Sequence, residues 1–248
     1  LTGEAWRASE LVRMVRSLQP DIIIDNRLEV SGSGFGSIAT DEPLEYSGDY
    51  VSPEQIIPQT GFKDSRGRNI CWEACITMND NWGYCAKDKN FKPAEMIIKK
   101  LVECVSKNGN MMLNVGLRAD GSLPETFRDE LVKIGNWLKL NGEAIYDTRP
   151  FKVYGEGTFN MNVASGKKQY ADYLYKFTAK DIRFTTKKNV IYIFTLDWPG
   201  NGETLKVQKL NNQELKNIQS ISFLASGEKV KWTQDESGLY ITTPAAPV

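Results

Sequence analysis

The sequence predicts an α/β plus all-β chain, part of a (β/α) TIM-like barrel over residues 1–150 followed by a small antiparallel β-sandwich over residues 151–248. Three observations predict it. Up to Pro150 the hydrophobic periodicity runs helix, strand, loop, strand, helix, strand, helix, the order of parallel strands joined by helices. The long polar loops of that part leave the C-terminal ends of strands, where barrels carry their sites. Beyond Pro150 short β-branched and aromatic runs alternate with Gly, Asn and Lys turns, the pattern of an antiparallel sandwich.

The first helix is predicted from Glu4 to Leu18: Leu11, Val15 and Leu18 share a face, Arg7, Glu10 and Arg13 lie largely elsewhere, and Pro20 stops it. Ile22-Ile23-Ile24, between Asp21 and Asp25, is too short for a helix and too continuous for a half-exposed strand, so it reads as a buried parallel strand. Asn26 and Arg27 lie just past its end. From Leu28 to about Arg68 periodicity vanishes among Gly, Ser, Pro and charge, as in Ser31-Gly32-Ser33-Gly34 and Gly48-Asp49-Tyr50. So long a loop in a compact domain points to a site rather than a linker. Asn69 to Thr77 reads as a second strand, alternation placing Cys71, Glu73 and Cys75 on one face and Trp72, Ala74 and Ile76 on the other. Met78 to Asn90 is another polar loop bearing aromatic residues.

Pro93 opens a helix whose stripe is Ile97, Ile98, Leu101, Val102 and Val105, ended by Asn108-Gly109. Met111 to Val115 is a third strand. After a turn at Asp120-Gly121, Pro124 leads into a helix carrying Phe127, Leu131, Ile134 and Leu138, closed at Asn141-Gly142. In the last part, strands are predicted at Asp181–Thr186, Asn189–Leu196, Thr204–Leu210, Ser220–Leu224, Val230–Thr233 and Leu239–Thr242. Segment Gly155–Lys168, rich in Gly and Asn, reads as a connection or surface loop.

Composition excludes several functions. The 31 Lys plus Arg balance 31 Asp plus Glu, and the short pairs Lys99-Lys100, Lys167-Lys168 and Lys187-Lys188 make no basic stripe, so no nucleic-acid partner is expected. No apolar run approaches the ~20 residues that span a bilayer, so no membrane partner is expected either. The chain has no His, which removes Ser-His-Asp and Cys-His nucleophile systems, His-ligated zinc and an imidazole shuttle. Proton transfer falls to carboxylates, Tyr, Lys or Cys. Cys71, Cys75, Cys85 and Cys104 lack paired zinc-knuckle spacing and read as free structural thiols. No Asn-x-Ser/Thr acceptor occurs. Leu1-Thr2-Gly3-Glu4 carries no initiator Met or leader and runs straight into a helix, which reads as a fragment or processed piece.

An ordered set of motifs over residues 10–150 resembles the α-L-fucosidases of glycoside hydrolase family 29. The set runs through Glu10-Leu11-Val12, Pro20, Asn26-Arg27, Gly48-Asp49-Tyr50 with Pro53-Glu54, Trp72-Glu73 and Trp82-Gly83-Tyr84. It continues in Val105-Ser106-Lys107-Asn108-Gly109-Asn110, Leu113-Asn114-Val115-Gly116, Asp120-Gly121, Pro124, Ile134-Gly135 and Trp137-Leu138. It ends in Asn141-Gly142-Glu143-Ala144-Ile145-Tyr146 and Thr148-Arg149-Pro150. The resemblance implies a retaining exo-hydrolase that removes terminal α-L-fucose from glycans through a covalent fucosyl-enzyme, with no metal or organic cofactor. It mildly favours a secreted or periplasmic protein.

Such chemistry needs two carboxylates about 5–5.5 Å apart, one attacking the anomeric carbon and one acting as acid, then base. The family's nucleophile is an Asp ending a strand before the Glu10-Leu11-Val12 helix, so the resemblance implies no nucleophile in this chain and a partner in the N-terminal half of the barrel. It makes Glu54 the acid/base, with Glu73 as runner-up because its strand could aim it into a barrel interior; Asp49 and Glu45 stand further back. It places Arg27, whose guanidinium holds oxygens in fixed geometry, and Trp82, whose ring covers the sugar's methyl face, in the substrate site. Trp6, Trp72 and Trp137 look like core or interface residues. A non-catalytic, lectin-like fucose-binding accessory protein is the alternative reading, favoured by the absent nucleophile.

Overall fold

The computed structural model describes residues 3–31, 34–157 and 177–245, which form two compact units. Most of the predicted Gly155–Lys168 connection lies outside the described residues.

The first unit holds residues up to 92 and residues 107–127. A 3₁₀ turn, Gly3–Trp6, leads into helix α1, Ala8–Leu18. Its buried residues are Ala8 and Val12, one turn apart; Leu18, predicted for that stripe, is 75% exposed. The Ile22–Ile24 run is extended but forms no strand, and Ile23 is 73% exposed. The reason is one-sided pairing: its described ladder contacts are the Asp49 N–H donating to the Ile24 carbonyl and a single parallel bridge of Asp25 to Tyr50.

The long stretch read as a loop contains a strand-like piece at Tyr50–Glu54, bridged in parallel to the next strand through Val51 with Trp72 and Glu54 with Cys75. Pro53, which has no N–H to donate, interrupts its ladder and hides it from pattern reading. A two-stranded hairpin follows, β1 Phe62–Lys63 with β2 Asn69–Ile70. Cys71 separates β2 from β3, Trp72–Thr77, which pairs in parallel with β4, Gly109–Asn114. Four segments therefore lie side by side in chain order, all parallel: 22–25, 50–54, β3 and β4. That is the consecutive neighbouring of a (β/α) barrel.

Alternation along β3 sorts its faces. Trp72, Ala74 and Ile76 are fully buried, whereas Glu73 on the opposite face is only partly so. Trp72 donates through Nε1 to the Lys107 carbonyl (3.1 Å), and its ring occupies the space a Cβ on Gly109 would need, so only glycine fits there.

The second unit comprises residues 93–106, 128–157 and 177–245. Helix α2, Ala94–Ser106, buries Ile97 and Val102, and also Lys100, Glu103 and Cys104 on what the sequence marks as its polar face. Helix α3, Glu125–Asn141, buries Phe127 and Ile134. Two three-stranded antiparallel sheets follow. One is ordered β5 (Arg149–Glu156), β6 (Ile182–Lys187), β7 (Val190–Thr195); the other β8 (Thr204–Val207), β10 (Gly238–Thr242), β9 (Trp232–Asp235). Ile182 and Phe184 of the first sheet share a core with Leu205, Val207, Leu239 and Ile241 of the second, which makes a small sandwich. β5 was not predicted, and among the described residues Ser220–Leu224 forms a single bridge, Ser222 with Lys229. The four cysteines are free thiols.

Candidate active site

The parallel segments of the first unit place Arg27 and Glu54 at or just past their C-terminal ends, Trp82 on the loop after β3, and Glu73 near the start of β3. Asp25 closes the first segment and caps the 3₁₀ turn Asn26–Leu28, accepting the Arg27 N–H at 3.0 Å. That turn swings the Arg27 side chain across the next segment. Its Nε donates to the Ser52 carbonyl (3.1 Å) and its Nη1 to Glu54 Oε2 (3.0 Å). The pair is half-open, the two side chains being 30% and 38% exposed.

Asn26 fixes this arrangement from below, an anchoring role the sequence reading passed over. It is 1% exposed. Its Nδ2 donates to the Gly34 and Phe35 carbonyls, and its Oδ1 accepts the Ser52 N–H at 3.0 Å. Only the appearance of Asn beside Arg27 in the motif could have flagged it.

Glu73 shares the face of Glu54 but sits lower, one residue from the start of β3, whereas Glu54 is bridged to Cys75 further along. Burial, and next the charge of Asp25, pushes the Glu73 carboxyl above the usual range. Burial also pushes the Tyr50 hydroxyl up, reinforced by Glu73 and Asp25 and opposed by Arg27. The Cys75 thiol is raised by burial; Arg27 opposes the rise, and Glu54, Glu73 and Asp25 add to it. Arg27 thus stands among the carboxylates of Asp25, Glu54 and Glu73.

The two remaining carboxylates are engaged elsewhere. Asp49 accepts both Arg16 (2.8 Å) and the Ile24 N–H (2.8 Å). Glu45 is gripped at both oxygens by Arg13, whose hydrogen bond holds its carboxyl below the usual range.

Trp82 stands on the loop after β3 and is 38% exposed. Polar bonds fix that loop: the Asp88 carboxylate accepts the Asp80 and Asn90 N–H groups and the Asn81 amide. Burial pushes Asp88 up, but these donors outweigh it and leave the group below the usual range. The loop is seated on the turn after β4, where a Cβ on Gly116 would stand 2.7 Å from the Gly83 and Tyr84 backbone, so glycine is required. Among the described residues no cluster of three or more His, Cys, Asp or Glu side chains is spaced to hold a metal ion.

Comparison with known proteins shows the family. The family model described as alpha-L-fucosidase matches residues 1–143, more than half the chain, and that described as alpha-L-fucosidase C-terminal domain matches residues 176–248. The chain belongs to the α-L-fucosidase family. Rat tissue alpha-L-fucosidase is 31% identical over 181 residues, covering 71% of this chain and 34% of the rat protein. The human tissue enzyme is 27% identical over 265 residues, covering 96% of this chain and 50% of its own length. Among solved structures, alpha-L-fucosidase isoenzyme 1 from Paenibacillus thiaminolyticus superposes with a TM-score of 0.78 at 34% identity, over all of this chain and 52% of that one. The chain spans a third to a half of the length of these relatives. Among the described residues no helix is long and apolar enough to cross a membrane.

Proposed function

We propose that this chain is the C-terminal part of a retaining exo-α-L-fucosidase that removes terminal α-L-fucose from glycans. Residues 1–150 supply barrel strands and 151–248 the sandwich. Glu54 is the acid/base, Arg27 and Trp82 hold the sugar, and the nucleophilic Asp belongs to an N-terminal half of the barrel. The observation that carries the reading is the Arg27–Glu54 contact at the C-terminal ends of neighbouring parallel segments, in a chain of this family. Glu54 outranks Glu73 because barrel chemistry sits at strand ends rather than near strand starts.

In the reaction the Asp carboxylate attacks the anomeric carbon while Glu54 gives its proton to the departing glycan oxygen, forming a fucosyl ester and a free hydroxyl. Glu54, now a carboxylate, takes a proton from water. The oxygen of that water attacks the same carbon, releases fucose and returns the Asp carboxylate. Arg27 donates to sugar oxygens, and Trp82 covers the apolar side of the ring. Supporting the need for an N-terminal half, Met14 and Leu18 of α1, Trp6 and Ile23 are large apolar side chains left more than half exposed.

The purified 248-residue chain is expected to release no p-nitrophenol from the aryl α-L-fucoside, and addition of the N-terminal half to restore release; turnover by the chain alone defeats the split. In the assembled enzyme Glu54→Gln is expected to slow cleavage of poor leaving groups by about 10²–10⁴, activated aryl fucosides less, with azide partly rescuing deglycosylation. If Glu73→Gln shows that pattern and Glu54→Gln does not, the roles exchange.

A further inference from the structure

Gln55 follows the proposed acid/base directly, and its backbone is in the left-handed region, φ 57°, which is unfavourable for a residue with a side chain. The surroundings hold it there. Its N–H donates to the Cys75 carbonyl of β3 at 2.9 Å, and its Nε2 donates to Thr77 Oγ1 at 2.8 Å. Its Oε1 accepts the Thr77 N–H at 3.4 Å. The Thr77 hydroxyl donates in turn to the Asn79 carbonyl (2.5 Å), which also accepts from Lys92 Nζ (3.2 Å). Gln55, Thr77, Asn79 and Lys92 are all buried. One polar chain therefore runs from the end of the Glu54 segment to the base of the loop that bears Trp82.

We propose that Gln55 is a positioning residue for Glu54: its side chain, clamped across the end of β3, holds the left-handed turn that aims the Glu54 carboxyl at Arg27 and the departing oxygen. This rests on the assignment of Glu54 as acid/base. The physical argument is the peptide joining residues 54 and 55. Without the clamp a non-glycine residue at 55 relaxes towards the extended or right-handed region, which rotates that peptide and displaces the carboxyl at its far side. A displacement of about 1 Å in a reacting group is enough to lose on the order of 10²-fold in rate.

The test is made in the assembled enzyme with the thermal midpoint followed in parallel. Gln55→Ala is expected to lower kcat for fucosides with poor leaving groups by about 10- to 100-fold, activated aryl fucosides less, with KM little changed. In the Glu54→Gln background it is expected to add little further loss. Gln55→Gly, which removes more atoms but tolerates left-handed φ, is expected to retain more activity than Gln55→Ala. A role confined to buried hydrogen bonding predicts the opposite, equal or greater loss in the glycine variant. Additive losses with Glu54→Gln, or a glycine variant as poor as the alanine one, overturn the proposal while leaving Glu54 in place. No leaving-group-dependent loss in Glu54→Gln itself removes the acid/base assignment, and this inference with it.

Discussion

Two Arg–carboxylate pairs, one in each unit, use the same chemistry for different ends. Arg183 and Glu103 tie β6 to α2 at 2% and 0% side-chain exposure, and Arg183 donates further to the Glu156 (3.1 Å) and Ile182 (2.8 Å) carbonyls. Arg27 and Glu54 remain about a third exposed at the ends of parallel segments. A buried pair whose donors also reach backbone carbonyls locks a packing arrangement, because separating it would strand charge away from water. A half-open pair holds its groups in place while both side chains stay within reach of solvent. Burial, rather than residue type, separates the two pairs.

The sharpest way to break this contrast is to remove one charge from each pair. Glu103→Gln is expected to destabilise the protein by about 3–5 kcal/mol in denaturant unfolding, since it takes the Glu103 charge away from the buried Arg183. Glu54→Gln is expected to change stability by no more than about 1 kcal/mol, as exposed pairs do, while activity falls. Equal stability losses would erase the distinction.

The tryptophans make the same comparison within one unit. Trp72→Ala is expected to cost about 3–5 kcal/mol, as for a fully buried ring. Trp82→Ala is expected to leave the thermal midpoint nearly unchanged and to raise the fucose Kd about fourfold or more, from the ~0.8 kcal/mol of a covered methyl alone. Discrimination against the sugar lacking that methyl is expected to fall. Arg27→Ala is expected to raise the Kd without that loss of discrimination. Calorimetric titration of the assembled enzyme reads both, and unchanged affinity in a destabilised Trp82→Ala variant returns that ring to the core.

The smallest expected effect concerns Glu73. Its folded carboxyl is raised, so the folded state binds more protons than the unfolded chain between the ordinary Glu pKa of about 4.3 and the raised value. Stability is therefore full below that window and falls as pH rises through it. Glu73→Gln is expected to flatten that decline, measured as the denaturation midpoint against pH. A variant that keeps the wild-type slope places the titrating group elsewhere.

The amino-acid sequence by itself determined the order of α1, β3, α2, β4 and α3, because each carries enough apolar residues at one period to declare its type. It likewise determined most sandwich strands, and it brought Arg27, Glu54, Glu73 and Trp82 into view through motif order. Only the tertiary structure decided what those residues touch. The Tyr50–Glu54 segment is a strand-like neighbour through long-range bridges that Pro53 conceals, and Ile22–Ile24 fails as a buried strand because its described pairing is one-sided. Asn26 and Gln55 became visible only through partners 26 and 22 residues away, Ser52 and Thr77. Periodicity is a local property written along the chain, whereas the aim of a carboxyl and the partner of a buried amide depend on which segments lie side by side.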